Sequence, residues 1–403
     1  MKRILTFILT LSLALSFCVN SFAAATTATA SETQTGTSEA QTDTSKTQAG
    51  TSEAQTDTSK VQAGASYGIS NLSGAPDIVA ESAVVMDANT GTILYGKEAD
   101  TKRYPASITK VMTALLAVEN CKMSDVITYS NAAVNGIEAG SSTAGINVGA
   151  KLTVEDSLYA LMLVSANEAA AAIAEHISGS TTEFAKLMTK RAKELGCTNT
   201  QFKNPHGLPN EEHYTTAHDM GLILKEAMKH EEFRKISGTI SYTLKKSDTL
   251  KDTLELWNHA KILRENSDYY YKYAAGAKPG FTQVALNTLV TYAKKDNVEL
   301  ICVILKDYGA DKSYTDTANL FKWAFNQVKS VTPLTDFSLK TAMTENTSID
   351  SSKLDQIQLL NSVYDKNFSV LVKKDFNESD LKTVFKLDED KKTGRLGYIV
   401  ISC

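Results

Sequence analysis

A serine and a lysine three residues apart stand at the start of a helical pattern in this 403-residue chain, in the sequence Ser-Ile-Thr-Lys at positions 107–110, just after Pro105. Apolar residues then recur at helical spacing, at positions 108, 111, 112, 115 and 116. The pattern predicts a helix over about 107–120, with Ser107 at its start and Lys110 one turn later on the same face. A serine hydroxyl needs a base within hydrogen-bond reach to act as a nucleophile, and a lysine kept neutral by its surroundings can be that base. The feature therefore predicts a nucleophile and its base.

A second pair of polar residues lies downstream, inside an alanine-rich helical run. Ser165 and Asn167 form a Ser-x-Asn sequence, and they can face one cleft if the helix is interrupted there. The alternative interpretation is a serine and an asparagine that compete for backbone groups in the middle of a helix. The order of the two motifs favours a shared cleft. The Ser-x-x-Lys pattern recurs at Ser379 and Lys382, in a polar stretch that we interpret as solvated surface.

These motifs, together with longer segments around them, resemble the D-alanyl-D-alanine carboxypeptidases among the low-molecular-mass penicillin-binding proteins. The resemblance is carried by 83–91 as the opening hairpin, by 153–159 as the lead-in to Ser-x-Asn, by Asn-Pro-His-Gly-Leu at 204–208, and by the segment 213–220. It spans about residues 78–330. It implies an α+β fold: a β-lactamase/transpeptidase-like catalytic domain, built from an antiparallel sheet and a helical subdomain, followed by a small β-rich domain.

The third motif of that family is altered here. The resemblance leads us to expect Lys-Thr-Gly on an edge strand, whereas this chain has Lys278, Pro279 and Gly280. Proline has neither a hydroxyl nor an N–H, and strands tolerate it mainly at edges. The family's supporting arginine is also missing, and the corresponding loop offers Lys312 and Ser313. Lys312 would supply a point charge without the arginine fork.

The resemblance implies a serine-type carboxypeptidase that removes the terminal D-Ala from peptidoglycan stem peptides. Ser107, Lys110 and Ser165 would be the catalytic residues. Substrate binding would fall to Asn167, Lys278, Gly280, Phe281 and Thr282. β-Lactam antibiotics would acylate the same serine and inhibit the enzyme, and the reaction would need no metal and no other cofactor.

Other functions remain open at this point. A class A-like β-lactamase would use the same serine and lysine with a glutamate that activates water. A degenerate, non-catalytic peptidoglycan-binding protein would account for Pro279 and Ser313, and a purely structural role in the envelope is a third possibility. A metal site is a fourth, since His206, His213 and His218 lie among acidic residues, but no pair has the spacing of a helical zinc motif.

The N-terminus predicts export. A basic start and a short apolar run lead to Ser-Phe-Ala at 21–23, which is typical of a secretory signal peptide at 1–23. The apolar run is short for a membrane span. Cys18 is a weak match to a lipoprotein cysteine because Phe17 precedes it. We therefore expect a bacterial protein exported to the cell envelope or the extracellular space.

A polar linker, residues 24–75, separates the signal from the globular part. Residues 37–50 are repeated at 51–64 with only Val61 changed. The repeat has no aromatic residue and almost no aliphatic one, so it cannot bury a core, and the linker is expected to be disordered. The formal net charge of −4 gives no sign of nucleic-acid binding.

The rest of the chain predicts an α+β catalytic domain at 76–333. Strands are expected at 82–87 and 92–95 around a turn, and near 287–293 and 298–306, with helices at about 107–120, 153–177, 182–195 and 215–230. A last helix would present Leu320, Phe321, Ala324, Phe325 and Val328 on one face. The grouping suggests an antiparallel sheet formed from both ends of the domain.

Pro333 marks the expected boundary of a β-rich C-terminal domain at 334–403, with strands at 368–372 and 397–401. The amphipathic helix that many relatives use as a membrane anchor is not visible after it. We expect either a released protein or a shortened copy.

The cysteines outside the signal peptide show no C-x-x-C spacing; they are Cys121, Cys197, Cys302 and Cys403. We interpret Cys121 and Cys302 as small buried residues.

Overall fold

The computed structural model describes residue 69 and the ranges 72–309, 311–336, 367–390 and 395–402. The predicted signal peptide, the repeat and most of the predicted linker lie outside these residues. Cys18 and Cys403 lie outside them too. No helix among the described residues is both long enough and apolar enough to span a membrane.

The centre of the main unit is a five-stranded antiparallel sheet. Its strands are β1 (Ser82–Asp87), β2 (Ile93–Lys97), β7 (Ala274–Thr282), β8 (Leu286–Lys295) and β9 (Val298–Asp307). They lie side by side in the order β2-β1-β9-β8-β7. The first hairpin turns at Asp87, whose carboxylate accepts the backbone N–H groups of Asn89 and Thr90. The sheet therefore joins the two ends of this part of the chain, as predicted.

Both faces of the sheet are covered, which explains why β1 is buried along its whole length. Val84 and Met86 face a large core formed with the helices, whereas Ala83 and Val85 face a second core. Alternate residues of a strand point to opposite faces, so a strand between two cores reads as a continuous apolar run. The α+β class expected from the sequence is confirmed.

The helices gather between the first and the last strands. They are α1 (Lys110–Asn120), α2 (Asn131–Asn135), α3 (Val154–Leu163), α4 (Asn167–Ser178), α5 (Thr181–Glu194), α6 (Ala217–Ala227), α7 (Glu231–Gly238) and α8 (Lys312–Gln327). Side chains of Thr153, Ser180 and Thr216 cap three of them by accepting a backbone N–H three residues on. Helix α8 covers the second core.

Two predicted helices differ in detail from the structure. The helix expected over 107–120 begins as a 3-10 turn, Ala106–Thr109, and becomes α-helical only at Lys110. The helix expected over 153–177 is broken between α3 and α4, because Ser165 takes a left-handed backbone conformation with φ of 62°. Val328, expected on the last helix, begins strand β10 (Val328–Val331) instead.

Short strand pairs complete the described residues: β3 (Val126–Thr128) with β4 (Lys151–Thr153), β5 (Ser241–Leu244) with β6 (Leu254–Trp257), and β10 (Val328–Val331) with β11 (Val370–Lys373). A separate unit contains the hairpin of β12 (Lys382–Asp390) and β13 (Arg395–Ser402). Strands expected near 368–372 and 397–401 are thus present. The domain boundary at Pro333 stays a prediction.

Candidate active site

A strained turn presents Ser107. The preceding residue, Ala106, has φ of 52°, which is unfavourable for a residue with a side chain. The carbonyl of Pro105 accepts the Thr288 hydroxyl at 2.9 Å, which fixes the turn to the sheet. Gly207 closes over the other side, where a Cβ would lie 1.8 Å from the Ala106 carbonyl oxygen. Only glycine fits this contact, so the Asn-Pro-His-Gly-Leu segment holds the turn in place.

Lys110 lies fully buried in the first turn of α1. Its Nζ is 3.1 Å from Ser107 Oγ, 2.7 Å from Asn167 Oδ1 and 2.8 Å from the carbonyl oxygen of His206. Burial lowers the pKa of Lys110 well below its ordinary value, the charge of Lys278 lowers it further, and Glu168 opposes the shift. The amine is therefore neutral far more readily than a surface lysine.

Ser165 and Asn167 lie at the break between α3 and α4. Ser165 is 5% exposed, and its Oγ has no hydrogen-bond partner among the described residues. Asn167 begins α4, its side chain binds Lys110, and its backbone N–H donates to the Ser142 carbonyl at 2.9 Å. A buried hydroxyl without a partner and a left-handed serine are both costly, and such features gather where a site binds something.

Strand β7 forms the opposite wall and is the last strand in the sheet order. Lys278 is 1% exposed, donates to the Pro279 carbonyl at 2.9 Å, and has its pKa lowered to about 7 by burial. Gly280 lets the strand approach the nucleophile, because a Cβ there would lie 2.7 Å from the Ser107 backbone nitrogen. Phe281 is 60% exposed beside it.

Most of the predicted site residues line a cleft of about 370 Å³. Its walls include Ser107, Ser165, Asn167, Lys278, Gly280, Phe281 and Thr282. Lys110 lies behind this surface and reaches it through Ser107 and Asn167. All eight residues singled out from the sequence therefore lie on the wall of one cleft or directly behind it.

The position of the missing arginine is taken by a hydroxyl. Ser313 and Tyr314, in the first turn of α8, line the cleft together with Pro279, whereas the exposed Lys312 is not among the lining residues. The point charge that we expected from Lys312 is thus not placed on the cleft wall. Ser313 is buried and its hydroxyl makes no hydrogen bond to a described residue, so it is available to a ligand.

Sequence reasoning missed two contributors. The His206 carbonyl holds Lys110 from 96 residues away, and no local pattern signals such a contact. The Glu168 carboxylate accepts the Thr143 hydroxyl and the backbone N–H groups of Ala144 and Gly145. It thereby holds the loop that carries Ser142, and its place directly after Ser-x-Asn was the available signal.

The three histidines considered as metal ligands have separate partners. His213 Nε2 lies 2.9 Å from the Thr109 hydroxyl, and His218 Nδ1 lies 3.0 Å from Asp100 Oδ1. His206 Nδ1 accepts the Leu208 backbone N–H. Burial lowers the pKa values of both His206 and His213 to about 3. His206 and His213 therefore support the segment that closes over the nucleophile, whereas His218 pairs with Asp100.

Comparisons with known proteins match both the fold and the region of the site. A family model described as D-alanyl-D-alanine carboxypeptidase matches residues 70–309. The D-alanyl-D-alanine carboxypeptidase DacF of Bacillus subtilis is 33% identical over 332 residues, which cover 80% of this chain and 81% of the relative. The D-alanyl-D-alanine carboxypeptidase DacA of Escherichia coli K12 is 30% identical over 271 residues, which cover 65% of this chain and 65% of the relative.

Solved structures that are similar to this chain include a DD-transpeptidase and another D-alanyl-D-alanine carboxypeptidase. The DD-transpeptidase of Streptomyces K15 has a TM-score of 0.58 at 31% identity, covering 63% of this chain and 99% of that chain. A D-alanyl-D-alanine carboxypeptidase from Mycobacterium tuberculosis has a TM-score of 0.58 at 26% identity, covering 64% of this chain and 95% of that chain.

Proposed function

The chain belongs to the D-alanyl-D-alanine carboxypeptidase family of penicillin-binding proteins, and we propose that its acyl-enzyme forms on Ser107. The enzyme is a hydrolase that acts on peptides ending in D-Ala-D-Ala. The observation that carries the proposal is the buried amine of Lys110, 3.1 Å from the Ser107 hydroxyl.

Lys110 is the base that activates Ser107. A protonated lysine offers three donors and no acceptor, whereas the neutral amine keeps two N–H donors and gains a lone pair. Two of its three neighbours, Asn167 Oδ1 and the His206 carbonyl, can only accept. The lone pair then faces the third, the Ser107 hydroxyl, and takes its proton as Oγ attacks the carbonyl carbon of the penultimate D-Ala.

Collapse of the tetrahedral intermediate breaks the amide C–N bond. Ser165 relays the proton from Lys110 to the leaving amine of the terminal D-Ala, which suits a buried hydroxyl without another partner. Water then attacks the ester, releases the shortened peptide and restores Ser107. Asn167 orients the substrate backbone while it holds Lys110.

Strand β7 stabilises the charges that form. The backbone N–H groups of Ser107 and Phe281 bind the oxyanion; each such donor is worth about 10²–10³ in rate. Gly280 makes this approach possible. Lys278 supplies positive potential for the substrate carboxylate, and Thr282 adds a hydroxyl, so the loss of a hydroxyl at Pro279 is partly offset.

A β-lactam presents a similar carbonyl to the same serine. The deciding experiment incubates the purified chain with a labelled penicillin, maps the adduct by mass spectrometry, and follows D-Ala release from a diacyl-D-Ala-D-Ala peptide. A label on Ser107 with D-Ala release is expected. A label without release would indicate an intact nucleophile with altered substrate recognition. No label on a folded protein would favour a non-catalytic peptidoglycan-binding protein, and rapid penicillin turnover would favour a β-lactamase.

We also propose that the enzyme acts outside the cytoplasm of a bacterium, exported through the segment 1–23. Its substrate would then be the stem peptide of assembled peptidoglycan. Expression with and without residues 1–23, followed by fractionation of the cells, tests this part separately from the chemistry.

A further inference from the structure

A cysteine, an aspartate and a histidine lie together at the C-terminal ends of helices α1 and α4. Cys121 directly follows α1, His176 lies in the last turn of α4, and Asp125 directly precedes β3. The Cys121 sulfur, a carboxylate oxygen of Asp125 and a ring nitrogen of His176 all lie within 4.8 Å of one another. None of the three residues lines the active-site cleft, so the cluster has no part in the chemistry described above.

The two helices run from the active site to this cluster. Helix α1 starts with Lys110 and α4 with Asn167, and these two side chains meet at 2.7 Å. At a rise of about 1.5 Å per residue, Cys121 lies about 16 Å along α1 from Lys110, and His176 about 13 Å along α4 from Asn167. A ligand shared by Cys121 and His176 would therefore join the helices at the ends opposite to their catalytic contact.

The protein leaves the donor atoms of the cluster available. Cys121 is a free thiol and is only half-buried, whereas the sequence led us to expect a buried residue like Cys302. Neither the Cys121 sulfur nor the exposed His176 ring forms a hydrogen bond or ion pair within the described part of the chain. Asp125 accepts the Lys122 backbone N–H with Oδ2 at 2.8 Å, which fixes its carboxylate and leaves the second oxygen open.

The surroundings of the cluster favour a positive charge. The C-terminal end of a helix carries partial negative charge on its last carbonyl groups, and cations near it are stabilised. Helices α1 and α4 have 11 and 12 residues, and both end at the cluster. Asp125 adds a full negative charge. Two helix ends and a carboxylate thus act together on a cation placed between the three side chains.

The donor set identifies the class of cation. Magnesium and calcium ions prefer oxygen ligands, whereas a thiolate, an imidazole and a carboxylate together suit zinc. Zinc lies about 2.3 Å from sulfur and about 2.0–2.1 Å from nitrogen or oxygen, so its ligand atoms are about 3.3–3.8 Å apart. Rotation of the exposed His176 side chain closes most of the remaining distance. Three protein ligands leave the fourth tetrahedral position to water.

We propose that Cys121, Asp125 and His176 bind a zinc ion, with a water molecule as the fourth ligand. The Cys121 thiol releases its proton to solvent as the zinc–sulfur bond forms. The bound ion ties the end of α1 to the end of α4 and stabilises the helical part of the fold. This inference does not depend on the proposed function, because the ion takes no part in D-Ala release.

The test starts from the full chain, freed of metal by a chelator under reducing conditions. Titration with Zn²⁺ in a calorimeter should show one saturable site per chain, and Mg²⁺ should not compete for it. At a hundredfold excess over its Kd, Zn²⁺ should raise the melting temperature by about 5–10 °C. Co²⁺ in place of Zn²⁺ should give the near-ultraviolet absorption band of a cobalt–thiolate bond.

Substitution of the ligands tests the assignment. Cys121→Ser, Asp125→Ala and His176→Gln should each weaken Zn²⁺ binding by about 100-fold or more, because even the outer partners of metal ligands contribute about 10–100-fold. Cys121→Ser should also abolish the cobalt–thiolate band. Melting temperatures without metal check that all three variants fold.

His230→Gln is the matched control. Glu119, Glu226 and His230 also lie within 4.8 Å of one another, but Arg191 pairs with both carboxylates, at 2.6 and 3.6 Å. This substitution should leave Zn²⁺ binding unchanged. Absence of saturable binding to the folded chain overturns the inference. Binding that survives Cys121→Ser and His176→Gln, or that is lost in His230→Gln alone, overturns it too.

Discussion

Two Ser-x-x-Lys sequences occur in this chain, and their surroundings differ in every respect that matters for reactivity. At Ser107 and Lys110 the amine is fully buried and touches the hydroxyl, an amide oxygen and a carbonyl. At Ser379 and Lys382 both residues are exposed. The spacing is identical, so burial and neighbours, rather than the motif, make a lysine into a base.

The comparison is tested most strongly by removing each serine in turn. Ser107→Ala should lower D-Ala release on the order of 10⁴-fold or more and prevent penicillin labelling, because the attacking oxygen is gone. Ser379→Ala should change neither. Circular dichroism checks both folds. Activity of Ser107→Ala near the wild-type rate would refute the nucleophile.

The two lysines give the next largest contrast. Arginine keeps a positive charge but stays protonated, so Lys110→Arg should slow penicillin acylation by about 10²–10⁴-fold, the usual contribution of a general base. Lys382→Arg should leave the rate unchanged. Stopped-flow acylation measures both. A fast Lys110→Arg enzyme would mean that another group takes the proton.

The pH dependence of the kinetics separates the roles of the two buried amines, Lys278 and Lys110. Lys278 has its pKa lowered to about 7, so it loses its proton, and its attraction for the substrate carboxylate, as pH rises through about 7. We expect KM to rise by up to about tenfold per pH unit above that value. Lys278→Arg should flatten this rise, because arginine stays charged.

Lys110 gives the opposite trend in kcat. Its amine must be neutral, so kcat should fall as the pH drops and Lys110 takes up a proton. Measuring kcat and KM from pH 5.5 to 8.5 separates the two groups. A KM that is independent of pH would remove Lys278 from carboxylate binding.

The smallest expected effect concerns recognition. Pro279→Thr restores a hydroxyl and a backbone N–H on β7 and should lower KM for a D-Ala-D-Ala peptide by about threefold to tenfold, the value of one hydrogen bond. The acylation rate of Ser107 should change less than KM. A raised KM would show that Ser313 and Thr282 already form a recognition site that threonine disturbs.

The sequence reveals most where local patterns decide the structure. The buried run of β1 and the apolar spacing of α1 follow from periodicity alone. The motif order predicted that Ser165 and Asn167 share a cleft with Ser107, and all three line one cleft. The left-handed conformation of Ser165 could not be read from an alanine-rich run, which favours an unbroken helix. Tertiary packing overrides propensity there.

The other features of the site that the sequence did not predict depend on contacts between residues far apart in the chain. The His206 carbonyl reaches Lys110 across 96 residues, and Ser313 reaches the cleft from the start of α8. Neither contact has a local signature. The charge of Lys312 suggested a substitute for the missing arginine, but helix geometry points its neighbour into the cleft.

The contact of Gly207 with Ala106 also has a consequence for folding. Ser107 adopts its reactive geometry only after a segment about a hundred residues later in the chain has docked on it. The chain between the two segments must close into a loop, at a cost in entropy, before this contact can stabilise the structure. The reactive geometry of the nucleophile therefore forms late on the folding pathway. Reaction with a labelled penicillin during refolding therefore reports the final docking step, and not the earlier formation of α1.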